Sequence, residues 1–128
     1  MLNVREIQTP AYICDIKVFK GNITDFRKAV NKYYPNYHMG YSYKTNYYQE
    51  FCKAVDKLGE YAEVVSPKEY HYAKELGVRD EDIIYNGVIP DFANKLNVAL
   101  NGGIVNIENL DEFKNFVDWS NAKQRHIE

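Results

Sequence analysis

Only two cysteines, four prolines and one tryptophan occur in these 128 residues, and no stretch of the chain stays apolar for long. Cys14 and Cys52 stand far apart without a CxxC spacing, which argues against a disulfide framework and for two reduced thiols. His38, His71 and His126 show no ligand spacing with one another or with the cysteines, so no metal centre is expected. No run approaches the roughly 20 apolar residues that a membrane-spanning helix needs. The opening "MLNVREIQTP" lacks the apolar core of a secretory leader, so the expectation is a cytoplasmic protein without a membrane partner. The sequon at Asn22 is then a chance match. A net charge of -2 and a pI near 5.9 leave no basic surplus for nucleic acid.

What the chain does have is an ordinary globular balance, 45% hydrophobic and 27% charged, in a length that suits one modest domain over residues 1–128. It also has twelve tyrosines, residues that pack a ring yet still need a partner for the hydroxyl. The elements read in alternation. After an extended "TPAYICD", a helix is predicted over "NITDFRKAVNKYY", with Phe26, Val30 and Tyr33 at helical spacing. "YHMGYSYK" reads as a strand, and Thr45 and Asn46 offer a start for the next helix. That helix, "NYYQEFCKAVDKLG", carries Tyr47, Phe51, Val55 and Leu58 on one face and stops at Gly59.

"YAEVVS" is a strand, and "SPKEYHYAKELG" opens with Ser66 as N-cap, Pro67 at the first helical position, and Glu69 completing a capping box. "DIIYNGV" is a strand. "PDFANKLNVALNGG" is a helix with Phe92, Leu96 and Leu100 aligned, and its Gly102-Gly103 pair is a stop rather than a phosphate loop. "GIVNIEN" is a strand, and Asn109 with Glu112 opens a last helix through a second capping box.

Four strand–helix units with short connections imply an α/β fold of parallel strands covered by helices. A closed parallel barrel needs eight strands and typically about 250 residues, so the pattern supplies the first half of one. Strands such as "DIIYNGV" and "GIVNIEN" should leave apolar surface and free edges on such a half, which favours a homodimer or another self-associated form.

Functional groups in parallel α/β folds gather at the C-terminal strand ends. Lys44 ends the first strand of the pattern, Ser66 with its neighbours the second, and Asn86-Gly87 the third. Position alone leaves two readings open. Lys44 is a surface lysine resting its stem on the fold, or a part-buried amine whose charged form is disfavoured and which acts as a nucleophile.

The segments "TPAYICD", "YSYKTN", "AEVVSPKEYHYAKELGV", "DIIYNGV" and "IVNIENLDEF" fall in one order and spacing. In this the chain resembles the fold-type III pyridoxal-phosphate decarboxylases, most of all their diaminopimelate branch, with alanine racemase as a wider relative. The likeness covers nearly the whole chain and only the first half of the family's TIM-like (β/α)8 barrel. It implies pyridoxal 5'-phosphate as cofactor, held as a Schiff base on Lys44, and an amino-acid substrate, most plausibly a diamino acid such as meso-diaminopimelate. Glu63 falls where the family has a shorter acid near the cofactor, and Ser66 and Glu69 fall on its "S-x-x-E". Asn86 and Gly87 fall on a strand end lining the cofactor, while Tyr43 reads as packing. The family's phosphate loop, ring-stacking histidine and pyridine-nitrogen acid have no counterpart in these residues. The resemblance therefore implies a carboxy-lyase whose 128-residue part is inactive alone. Its rivals are a racemase on the same barrel, a pyridoxal-phosphate-binding protein without turnover, and an inactive half-barrel.

Overall fold

A computed structural model describes residues 7–127; the first six residues of "MLNVREIQTP" lie outside the described residues. Helix α1 spans Ile16–Asn31, followed by β1 (Gly40–Ser42), α2 (Gln49–Lys57), β2 (Tyr61–Val64) and α3 (Pro67–Glu75). A 3-10 turn at Asp80–Asp82 leads into β3 (Ile83–Tyr85), α4 (Phe92–Leu100), β4 (Ile104–Val105) and α5 (Leu110–Lys123). The four strands are parallel and lie side by side in chain order, which is how successive βα units of a barrel are laid down.

Register sorts the side chains. Tyr41, Ala62 and Ile83 are paired across β1, β2 and β3, and Val64, Tyr85 and Val105 across β2, β3 and β4. With Tyr43 these face the helices, where they pack on Cys52 of α2, Tyr70 and Ala73 of α3 and Val98 of α4. Successive residues alternate faces, so Ser42, Glu63, Ile84 and Ile104 form one layer on the opposite face. Among the described residues no helix covers that layer, and Ile104 is exposed there. The apolar surface expected on this face is smaller than the strand composition suggests, because Ser42 and Glu63 supply half of the layer.

Caps set most of the helix ends. The Ser66 hydroxyl accepts from the Glu69 N–H at 3.3 Å, and Glu69 reaches back to the Val65 N–H at 2.8 Å. Asn109 and Glu112 repeat the arrangement, with Asn109 accepting from the Glu112 N–H and Glu112 from the Glu108 N–H, both at 2.8 Å. Gly59, Gly77 and Gly102 all follow a helix at positive φ, as helix stops.

Three helices differ from the sequence expectation. α1 begins at Ile16, six residues before "NITDFRKAVNKYY", because Asp15 caps it by accepting from the Lys17 and Val18 N–H groups. The extra turn brings Phe19 onto Phe51 of α2, with ring centroids 4.3 Å apart. Ile23 is then the buried residue of α1, while Phe26 is half exposed and Tyr33 lies beyond the helix at 78% exposure. In α2, Thr45 and Asn46 do not cap the helix. Asn46 accepts from the Tyr48 N–H at 3.0 Å, and Tyr47 stays outside as an acceptor for the Tyr72 hydroxyl. In α4 the fully buried positions are Lys95 and Val98 rather than the Phe92, Leu96 and Leu100 row. At the opposite end of the sheet, Arg27 of α1 holds buried Glu60 through its Nε at 2.8 Å, and Glu60 accepts from the Met39 N–H. Both cysteines are free, Cys52 in the core and Cys14 exposed.

Much of the core is tyrosine, and burial makes the phenolate form costly there. Burial pushes the Tyr41 and Tyr70 hydroxyls up to about 12, Tyr70 with help from Asp80. Burial raises Tyr43 and Tyr85 as well. A folded-state pKa above the unfolded value of about 10 favours the protonated fold. The resulting stability is fully present below pH ~10 and lost as pH rises toward the folded values. Burial raises the Cys52 thiol too, from a lower starting value, so urea unfolding should give a midpoint that holds from pH 7 to about 8, then begins to fall, and falls more steeply above pH ~10. Absorbance at the phenolate band should rise in the same window, and a midpoint unchanged through that rise would contradict this account. The caps give a second expectation. Ser66→Ala should lower unfolding free energy by about 1 kcal/mol, and an unshifted urea midpoint would show that the cap is not made in solution.

Candidate functional site

The candidate residues gather at the C-terminal ends of the strands. Beyond β1 the chain closes a turn in which the Thr45 N–H and hydroxyl both donate to the Ser42 carbonyl, at 3.2 and 2.8 Å. Lys44 rides on that turn. Its side chain is exposed, so of the two readings that position left open the surface lysine is the one seen: a three-residue strand ends too early to sink it. Lys44 lines a cavity of about 360 Å³, bounded by Val65, Asn86 and Gly87 from the ends of β2 and β3. Val88, Ile89 and Glu108 from the following loops complete the wall.

Glu63 stands on the inner layer of β2, and its Oε1 accepts from the Asn86 side-chain amide at 3.1 Å. It therefore reaches the cavity through Asn86. Ser42, level with Glu63 in the register, has a buried hydroxyl that no described residue satisfies. Gly87 is needed for its backbone: φ is +130°, and a Cβ would stand 2.5 Å from the Val65 carbonyl oxygen. Its N–H donates to Glu108 Oε1 at 3.2 Å, which joins the loop after β3 to the loop after β4.

The structure thus brings Lys44, Glu63, Asn86 and Gly87 to one end of the sheet. Ser66 and Glu69 sit beside them but point their side chains into the α3 cap. Tyr43 is packing, 1% exposed in the core. Sequence reasoning missed Glu108, Val65, Val88 and Ile89. A signal existed for the first two, since each directly precedes a capping box. Val88 and Ile89 carry none, because two exposed apolar residues in a loop resemble any others. Among the described residues no group of histidine, cysteine and acidic side chains could hold a metal ion, and no helix is long and apolar enough to cross a membrane.

An amine, a carboxylate and a carboxamide around an apolar wall can hold an organic ligand that carries a carbonyl and polar substituents. The volume falls in the range of about 300–1,000 Å³ common for small-molecule sites.

The chain is 32% identical over 80 residues to the diaminopimelate decarboxylase of Aquifex aeolicus (strain VF5), covering 62% of the chain and 18% of that protein. It is 30% identical over 113 residues to the diaminopimelate decarboxylase of Bacteroides thetaiotaomicron, covering 86% of the chain and 28% of that protein. The chain thus spans under a third of the length of these relatives. Among solved structures, diaminopimelate decarboxylase from M. jannaschi superposes with a TM-score of 0.68 at 21% identity, over 85% of this chain and 26% of that one. An Aquifex aeolicus protein does so with a TM-score of 0.63 at 24% identity, over 82% of this chain and 27% of that one. Both show the fold: four parallel βα units that correspond to the first half of a barrel. Residues 20–126 match the family described as pyridoxal-dependent decarboxylase, pyridoxal binding domain, and the chain belongs to that family.

Proposed function

We propose that this chain is the cofactor-binding first half of the barrel of a pyridoxal-phosphate-dependent decarboxylase, acting on a diamino acid such as meso-diaminopimelate, with Lys44 as the residue that carries the cofactor. The observation behind this reading is the shared cavity: the lysine on the turn after β1 lines it together with the ends of the next two strands, in a chain of this family. The substrate class rests on the names of the relatives. Residues 1–128 act as one domain in this reading.

The residues present fit the cofactor. A primary amine is free to meet its aldehyde, and the Ser42 hydroxyl is a buried donor without a partner. The Gly87 backbone comes closer to the β2 end than any side chain would allow. When bound, pyridoxal phosphate supplies the electron sink for the carbon that loses carbon dioxide. The chain's own residues do the rest. Lys44 would hold the cofactor through its amine. Asn86 is oriented by Glu63 and presents its carboxamide at the cavity wall. Val65, Val88 and Ile89 keep water from one side of the cavity. Ser66 and Glu69 fix the β2–α3 junction through their cap and so hold Val65 in the wall.

Borohydride reduction of the chain incubated with pyridoxal phosphate, followed by peptide mapping, tests the central assignment. Lys44 should carry the reduced adduct in clear excess over every other lysine, and Lys44→Ala should remove it while leaving the urea midpoint in place. A dominant adduct at another lysine would overturn the assignment. In the polypeptide that carries the complete barrel, Glu63→Gln should slow turnover by about tenfold or more while changing cofactor affinity much less. Equal turnover across the pH range would remove Glu63 from the reaction.

The partner in this reading is a second copy. Among the described residues β1 and β4 each pair on one side only, and open strand edges recruit further chains. Sedimentation of the 128-residue chain at micromolar concentration should show dimers or larger species, and a stable monomer would refute self-association.

A further inference from the structure

Among the described residues Lys95 is the one lysine that lies wholly in the core, at 0% exposure. A buried ammonium is expensive unless every proton has an acceptor. Here each has one. The Nζ donates to the Gly87 carbonyl at 3.2 Å, to the Asn106 carbonyl at 3.2 Å, and to Glu112 Oε1 at 2.5 Å. The two carbonyls belong to the loops after β3 and β4. Glu112 spends its other oxygen on the Glu108 N–H, and the Glu108 side chain takes the Gly87 N–H. Gly87 is therefore held at both ends, its carbonyl by Lys95 and its N–H by Glu108. Lys95 does not line the cavity, but Gly87 and Glu108 do.

We propose that Lys95 is a positioning residue: its buried ammonium clamps the β3–α4 and β4–α5 loops together and thereby holds the Gly87–Glu108 side of the Lys44 cavity in place. This use of the clamp rests on the reading of that cavity given above, but the clamp itself does not. A purely structural ion pair would stiffen α4 against α5 and leave the loops indifferent. The three-way bonding instead assigns the charge to loop carbonyls, at the end of the sheet where Lys44 stands. A hydrophobic residue of similar length would pack in the same space and give the loops nothing to bind.

Hydrogen exchange resolved to single amides reads the clamp directly, because the Gly87 and Glu108 N–H groups are both in the chain of bonds. In Lys95→Met these two amides should exchange about tenfold faster or more, with α1 and β2 amides little changed. Asp15→Ala is the matched control. It removes the α1 cap, which shares no bond with Lys95, Glu112 or Glu108, and should leave the Gly87 amide near its original rate. Lys95→Met should also lower the borohydride-trapped pyridoxal phosphate at Lys44 severalfold. Unchanged exchange at Gly87 in Lys95→Met would overturn the clamp. So would acceleration spread evenly over the chain, or an effect at Gly87 equal to that of Asp15→Ala. If trapping in the original chain does not occur at Lys44, the cofactor reading fails while the exchange result still decides the clamp. Faster exchange with undiminished trapping would show that the clamp does not serve the cavity.

Discussion

Parallel pairing in strict register is the constraint on which everything else in this chain depends. A strand has a period of two, so a single register sends Val64, Tyr85 and Val105 to the helices and Ser42, Glu63 and Ile84 to the other face. A slip of one residue would bury Glu63 under α3 and expose Val64. The same register fixes the height at which each strand ends, and so brings Lys44, Asn86 and the loops beyond them around one cavity. Covalent chemistry at that cavity would need no special local fold around the lysine. It would need four short strands to stop at matched heights.

The helices matter to the site mainly through where they begin. Glu69 and Glu112 bond back to the residue before their N-cap, which ties the last residue of the preceding loop to the first turn of helix. In both places that tied residue, Val65 or Glu108, faces the cavity. Helix starts and cavity wall are thus one set of bonds seen from two sides. This explains why Ser66 and Glu69 stand near the site while their polar atoms are spent on backbone.

Elements with strong local signals were legible in the sequence. Ser66-Pro67 with Glu69, the Asn109–Glu112 pair and the three helix-ending glycines each carry their reason within a few residues, and the structure places all of them as read. The alternation of strands and helices gave the parallel sheet. What escaped depends on distant partners. The first turns of α1 combine the Asp15 cap with a contact of Phe19 on distant Phe51, and a propensity window over "IKVFKG" contains a glycine that argues against helix. Lys95 reads as a solvated charge because nothing local announces that two loop carbonyls and Glu112 will surround it. Lys44 was legible by position at a strand end. Its exposure was not, since that follows from a strand only three residues long.

The junction between β3 and α4 is built unlike the other two that wall the cavity. Its N-cap, Asp91, accepts from the Tyr85 hydroxyl and from Asn94, and sends no bond back into the loop before it. Val88, Ile89 and Pro90 therefore form a short bridge between two fixed points, Gly87 and Asp91, with side chains that the fold does not use. Sequence drift in this bridge leaves the scaffold untouched and rewrites the wall that a bound molecule meets. In the proposed site, selectivity and stability would then be lodged in different residues of the same loop, so one could evolve without taxing the other.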